Sequence, residues 1–355
     1  MFELIKNDLL SLSRRDFLKY SGAAFGSLFL MPLQDRGWLP KKVQPNDGLT
    51  HAYGRVISEA LNVYQKPSLE SKLVTTIWKD EVLPIAGVTI GEEEPAYNRI
   101  WYEMEGAGFV HSGRIQPVDI NKNPIIENLP ETGKLIEITV PYTDAIWHPK
   151  SPHIITYRLY FGTVYWVTEI VKDQKGKVWY KVPDDKWDIH YYVDAEHAHF
   201  IEPEEITPLS PNVSRENKWI EILLEEQAVI AYENERPIFF ARTATGARFI
   251  DGDFRTQPGN YLTNRKRPSR HMAAGDPAAP NSYDLPGIPW ICYLTESGIS
   301  FHGTYWHNDY GKPRSHGCIN LTPDDARWVY RWTLPIVPPD QEIRNADHGT
   351  YVYIH

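Results

Sequence analysis

The sequence predicts a mainly β protein: one or two small β-barrels, then a third β-rich domain that carries one short helix. Three observations point there. Apolar, β-prone runs of about four to eight residues recur from Gly54 onward, separated by turn residues. A Trp-Tyr pair at Trp101-Tyr102 returns 78 residues later as Trp179-Tyr180, each time followed by a turn, a β-prone run and a Pro-containing exit. A helix start, "TPDDARWVYRWT" at 322–333, stands near the C-terminal end.

Taken in chain order, residues 13–33 ("SRRDFLKYSGAAFGSLFLMPL") come first, with paired arginines, then Phe17, Leu18 and Lys19, then an apolar run. The stretch resembles the bacterial twin-arginine export signal, with Ser13, Arg14, Arg15, Phe17, Leu18 and Lys19 on its consensus. Such arginines are an address read by a receptor. The run Tyr20–Leu33 is short for a membrane span and rich in Gly and Ser, and no A-x-A site follows it. Residues 1–40 are therefore set apart from the fold. The expectation is export to the periplasm or cell wall, with membrane contact only through an uncleaved signal.

After a polar linker at 41–50, residues 53–118 read as short strands: "GRVIS", "LNVY", "KLVTTIW", "RIWYEME". The order Leu61-Asn62-Val63, Pro67-Ser68, Trp101-Tyr102 and Gly108-Phe109-Val110 resembles the bacterial SH3-like domain. That family implies a module that holds peptidoglycan or flanks a catalytic domain. Residues 134–209 repeat the β-rich character, and their Trp-Tyr pair marks a second, divergent SH3-like unit. Its acidic, proline-bearing exit (202–217) reads as a linker.

The third segment spans 218–355. "KWIEILLEEQAVIAYENERPIFFARTATG" holds two apolar runs around the polar turn Glu233-Asn234-Glu235, a hairpin pattern, and two further strands flank Ser297-Gly298. The helix signal rests on Thr322 as cap, Pro323 at the first helical position, and Asp324 and Asp325 at the positive end of the dipole.

Composition narrows the function. The net charge is -9 with no long basic run, which excludes nucleic acid, since phosphate binding needs clustered Lys and Arg. Two cysteines cannot form a disulfide framework. Cys292, within "PWICYL", alternates with apolar residues as a buried thiol would. Cys318 is set differently, in "HGTYWHNDYGKPRSHGC" (302–318), among His302, His307 and His316.

Three readings of that cluster compete. A zinc site would use His302, His307, His316 and Cys318, but their spacing is unlike structural zinc patterns and no C-x2-C is present. A buried thiol is the bland reading, opposed by the polar and glycine-rich surroundings. Nucleophilic catalysis fits the whole set: a thiol needs a base to ionise it, and the base needs a third group to hold its tautomer. Gly317 lets the backbone approach a substrate and place amides for an oxyanion.

The stretch resembles the signature of the L,D-transpeptidase catalytic domain (YkuD family), a histidine, a gap, then [S/T]-H-G-C-x-[N/R]. Here these are His302, Ser315, His316, Gly317, Cys318 and Asn320. Upstream, "ATG" (244–246), "TQPGNYL" (256–262) and "PSRHM" (268–272) match further family segments, with Gln257 a small departure. The resemblance implies a β-sandwich-like catalytic domain with Cys318 as nucleophile, His302 as base and the Gly303 carbonyl as orienting group. His316 and Gly317 would shape the oxyanion region, and Ser315 and Asn320 would fix the loop. Arg314 is a candidate for a substrate carboxylate or a solvated loop cation. Tyr305, with Tyr283 and Trp306, is a candidate for lining the groove or packing the sheet, whereas Trp290 favours packing.

The implied reaction is attack on a peptidoglycan tetrapeptide stem, with release of D-alanine and a thioester that an amine then takes. The products would be 3→3 cross-links or a protein attached through its amine. Water in place of the amine would make an L,D-carboxypeptidase, and an inactive catalytic domain would leave a wall-binding protein. Papain-like peptidases place Cys before His, and sortases need a later arginine, for which Arg327 and Arg331 sit in the helix. The reading calls for no cofactor and no metal.

Overall fold

The computed structural model describes residues 51–92, 94–250, 252–275 and 282–355; the export signal expected at 1–40 lies outside them. Among the described residues no helix is long and apolar enough to cross a membrane.

The first β unit comprises β1 (Tyr53–Val56), β2 (Ala60–Tyr64), β3 (Leu73–Trp78), β4 (Val82–Ile90), β5 (Ile100–Met104), β6 (Gly108–His111) and β7 (Ile115–Val118). Its strands pair in the order β3-β2-β6-β5-β4-β1-β7. β3 and β7 remain the two edges, so the sheet stays open where the sequence predicts a small closed barrel. Alternation drives it: along β2, Leu61 and Val63 point inward while Ala60 and Asn62 face solvent. Val56, Val63, Met104, Val110 and Ile115 fill the core.

The second unit comprises β8 (Lys134–Ile138), β9 (Tyr142–Ile146), β10 (Ile155–Tyr160), β11 (Val164–Val167) and β12 (Glu169–Lys172). β13 (Val178–Pro183), β14 (His190–Asp194) and β15 (Ala198–Phe200) complete it. Its pairings reproduce those of the first unit strand for strand. β8 joins β11 and β15 as β1 joins β4 and β7. β9 joins β10 and β14 as β2 joins β3 and β6. β13 joins β12 and β14 as β5 joins β4 and β6. The difference is a break at Thr168 that divides the counterpart of β4 into β11 and β12, splitting the strands into sheets of five and three. Trp101-Tyr102 and Trp179-Tyr180 occupy equivalent places on β5 and β13, and a one-turn 3₁₀ helix precedes each last strand.

The third unit contains β16 (Lys218–Leu223), β17 (Ala228–Glu233), β18 (Arg236–Arg242), β19 (Arg248–Phe249), β20 (Gly252–Asp253), β21 (Gly259–Leu262) and β22 (Arg265–Ala274). It continues with β23 (Tyr283–Tyr293), β24 (Ser300–Gly303), β25 (Ile319–Leu321), α1 (Pro323–Trp332), β26 (Arg344–Asn345) and β27 (Tyr351–Ile354). Two five-stranded sheets, β18-β17-β16-β27-β21 and β25-β24-β23-β22-β26, share one core. Ile220, Ile222, Val229 and Ala231 meet Trp290, Cys292, Phe301 and Ile319 there. The turn at Asn234 and Glu235 has both φ positive (49° and 66°), as a two-residue hairpin requires. The apolar run before it is two strands rather than one, because the polar Glu225-Glu226-Gln227 stretch turns the chain.

Helix α1 follows β25 directly. The Thr322 hydroxyl accepts the Asp325 N–H at 3.1 Å, and Pro323 opens the first turn. At the other end two buried lysines meet the orphan carbonyls. Lys266 Nζ donates to Tyr330 O (2.5 Å) and Thr333 O (2.7 Å), and Lys218 Nζ to Trp332 O (3.4 Å). The helix is thus anchored at both ends, directly after the short strand that follows Cys318.

Candidate active site

β24 and β25 run parallel, with Phe301 opposite Ile319, His302 opposite Asn320 and Gly303 opposite Leu321. Side chains two residues apart share a sheet face. Ser300 and His302 on one strand therefore stand beside Cys318, which immediately precedes β25, and Asn320 within it, while Phe301 and Ile319 point into the core. This register places a thiol next to an imidazole although 16 positions separate them in the chain.

The contacts around the pair are specific. His302 is buried and its Nδ1 lies 3.0 Å from the Gly303 carbonyl, which fixes Nδ1 as the protonated nitrogen and leaves Nε2 for the thiol. Cys318 is half-buried, and the Ser300 hydroxyl lies 3.8 Å from its sulfur. Burial pushes the thiol up, but the hydrogen bond and charge of His302, with hydrogen bonds from Ser300, outweigh it and hold the thiol below its ordinary range.

The loop before Cys318 is held from inside. Gly317 has φ +114°, a conformation that glycine tolerates. The Ser315 hydroxyl accepts the Gly317 N–H (3.1 Å) and donates to the Cys318 carbonyl (2.6 Å). The Thr256 hydroxyl accepts the Gly246 N–H (2.8 Å) and donates to the Gly317 carbonyl (2.9 Å). A Cβ on Gly246 would stand 2.1 Å from the Phe254 carbonyl, so that site has room only for glycine. The Gly317 amide expected in the oxyanion region is thus committed to Ser315. The amide of Cys318 itself, by contrast, takes no partner among the described residues.

Other expected residues fall elsewhere. The exposed His316 ring stacks on Phe249 (4.8 Å) and approaches Phe254 (4.6 Å) and Tyr283 (5.9 Å), so it belongs to an aromatic rim. Arg314 Nη1 is bound to Asp309 Oδ2 at 2.7 Å, and Lys312 reaches the same oxygen at 2.9 Å. Tyr305 does not line a groove. It is 4% exposed, its hydroxyl donates to the Pro286 carbonyl at 3.1 Å, and it stacks on Tyr160 of the second unit. Trp290 is fully buried in the core, as is Cys292. Among the described residues no group of three His, Cys, Asp or Glu is arranged for a metal ion.

Sequence reasoning passed over three groups: Ser300, Thr256 as a double hydrogen-bonding post, and the first unit as a brace on the loop between His302 and Cys318. Arg55 of β1 donates to the Tyr305 carbonyl (2.8 Å), and Asn308 to Tyr102 Oη and the Ser112 carbonyl (both 3.4 Å). Lys312 donates to Tyr97 Oη (2.7 Å), and Arg242 to the Tyr97 carbonyl. Arg55 within the β-prone run "GRVIS" was the signal available, since an arginine buried in a strand needs partners.

Residues 217–354 match the family model described as the L,D-transpeptidase catalytic domain (YkuD). The Bacillus subtilis (strain 168) protein YciB, whose name marks it as a candidate L,D-transpeptidase, is 24% identical over 130 residues. That match covers 34% of this chain and 63% of the relative. Among solved structures, an L,D-transpeptidase from Mycobacterium smegmatis is 16% identical with a TM-score of 0.32, covering 54% of this chain and 89% of that one. The catalytic domain of the Enterococcus faecium L,D-transpeptidase is 20% identical with a TM-score of 0.30, covering 39% and 98%.

Proposed function

We propose that this chain, whose residues 217–354 match the L,D-transpeptidase catalytic domain, transfers acyl groups of peptidoglycan stem peptides through Cys318. The observation that carries the reading is the Cys318–His302–Gly303 arrangement, a thiol held low by an imidazole whose tautomer a backbone carbonyl fixes. His302 Nε2 takes the thiol proton, and the sulfur attacks the carbonyl between the third and fourth residues of a tetrapeptide stem. The free Cys318 amide is the donor placed for the oxyanion. Collapse expels D-alanine, which takes the proton from His302, and leaves a thioester. An amine of a second stem gives its proton to His302 and attacks the thioester, forming a 3→3 cross-link and restoring the thiol.

The matching strand schemes and their Trp-Tyr pairs support reading residues 53–118 and 134–209 as two related SH3-like units. The first of them braces the loop between base and nucleophile. The arginine pair at 14 and 15 supports export, where the wall substrate lies.

The test is to incubate the protein with disaccharide-tetrapeptide, beside Cys318→Ala, and weigh the products. A cross-linked dimer short of one D-alanine, absent with the variant, supports transpeptidation. Tripeptide alone supports an L,D-carboxypeptidase, and no product from either protein removes the enzymatic reading.

A further inference from the structure

His307 has no part in the chemistry above, yet it is buried as deeply as the base. Its ring is 4% exposed, and its Nδ1 accepts the backbone N–H of Asp309 at 3.3 Å. Its Nε2 lies 2.9 Å from the side-chain amide of Asn320, which is 3% exposed. Burial, with the charges of Arg314 and Lys312, drives His307 down to about 3 against the pull of Asp309, so the imidazole is neutral.

A neutral imidazole carries one proton. With Nδ1 accepting, that proton sits on Nε2, and Nε2–H needs an acceptor. The two ends of an amide have nearly the same shape, so the hydrogen-bond network decides which end faces the ring. Asn320 Oδ1 is buried without a partner when the nitrogen faces His307. With the nitrogen facing the ring, two N–H donors would meet; turning the oxygen toward Nε2–H pairs the ring proton and Oδ1 together. The amide NH2 is then left without a partner among the described residues, on the sheet face that Asn320 shares with His302 and Cys318.

We propose that His307 is a positioning residue that fixes the orientation of the Asn320 amide beside the catalytic imidazole. Asn320 stands directly across from His302 in the parallel register, so the two side chains leave the sheet as neighbours on one face, and the set of the amide bears on where the imidazole lies relative to the thiol. The first unit extends the brace. Asn308, next to His307, is held by Tyr102 and Ser112, and its backbone N–H donates to the Gly113 carbonyl at 3.4 Å. Gly113 has no room for a side chain, since a Cβ there would lie 2.6 Å from Asp309 Oδ1. The order of action runs from the first unit to His307, to Asn320, to His302.

The inference rests on Cys318 and His302 being the reactive pair, and its test needs no wall substrate. The rate of Cys318 alkylation by iodoacetamide is followed against pH in the full chain for wild type, His307→Gln and His307→Leu. Glutamine can place an N–H near the position of Nε2, and leucine cannot. His307→Leu is expected to raise the pH midpoint by about one unit, with about tenfold less thiolate near neutrality, and His307→Gln to keep the wild-type midpoint. Where His307→Leu does not fold by its melting profile, Asn320→Ser replaces it, the serine being too short to reach the ring, with the same shift expected. An unchanged midpoint in the folded leucine or serine variant, or equal shifts for leucine and glutamine, would overturn the proposal. A wild-type midpoint at the ordinary thiol value would instead count against the reactive pair itself.

Discussion

The Ser315 hydroxyl donates to the carbonyl of Cys318 at 2.6 Å, closing a small ring across the turn that presents the thiol. The same oxygen accepts the Gly317 N–H, so one side chain satisfies two backbone groups of the loop that ends at Cys318. Ser315→Ala leaves both without that partner. The expected result is a stability loss of about 1–3 kcal/mol in denaturant melts, and a turnover that falls more than substrate affinity. An unchanged melt and unchanged turnover would mean that the turn holds itself.

The two cysteines should behave differently toward one reagent. Cys292 is fully buried and its thiol is pushed up by burial, whereas Cys318 is half-buried and held low. Iodoacetamide at neutral pH is expected to add a single carbamidomethyl group to the folded protein, on Cys318, and a second only after unfolding. Peptide mass mapping reads the site directly. Early modification of Cys292 would contradict the core described here.

His302→Ala removes the largest influence that lowers the Cys318 thiol. Burial then acts with less opposition and the thiol rises. Alkylation of the variant should require higher pH than wild type, with the profile displaced toward the alkaline side. Coincident profiles would separate the imidazole from the thiol.

Acid stability has a defined sign at His307. Its folded-state value near 3 lies below the unfolded value of about 6.5, so between these limits the unfolded chain binds more protons. The stability from keeping this ring neutral is fully present above pH of about 6.5 and is lost as pH falls toward 3. Melting temperatures in that window should fall less steeply in a folded His307→Leu variant than in wild type. Parallel curves would show that the ring titrates elsewhere.

Arg55 joins the first unit to the site loop. It is 1% exposed, with Nη1 2.7 Å from Asp80 Oδ1 and its guanidinium 4.0 Å above the Tyr160 ring. Arg55→Ala should cost about 3 kcal/mol by chemical denaturation, the low end for a broken buried pair, because Arg158 still reaches Asp80. Stability within about 0.5 kcal/mol of wild type would make the junction a loose one.

The parts that were legible in the sequence are those set by local chemistry. Thr322 and Pro323 announced the helix, Asn234 and Glu235 the hairpin, and the His302 to Cys318 stretch the candidate site. What was hidden depended on pairing across distance. No local pattern shows that the Gly317 amide is taken by Ser315, because that follows from the shape of one turn. Tyr305 looked like a groove residue by type, and only the packing of Tyr160 and Arg55 against it turns the ring inward. The two β units share a pairing scheme that their sequences barely show beyond the Trp-Tyr pairs, since a sheet needs alternation more than identity. Closure into barrels was the step that alternation alone could not decide, because it depends on whether β3 and β7 meet.

The central claim is that Cys318 carries the acyl group. Its most direct test is the intact mass of the protein within the first seconds after mixing with disaccharide-tetrapeptide, followed by peptide mapping. A mass gain equal to the stem lacking its terminal D-alanine, located on Cys318 and released by an added amine, is the predicted result. Product formation with no adduct on Cys318, or an adduct that persists in Cys318→Ala, would contradict it.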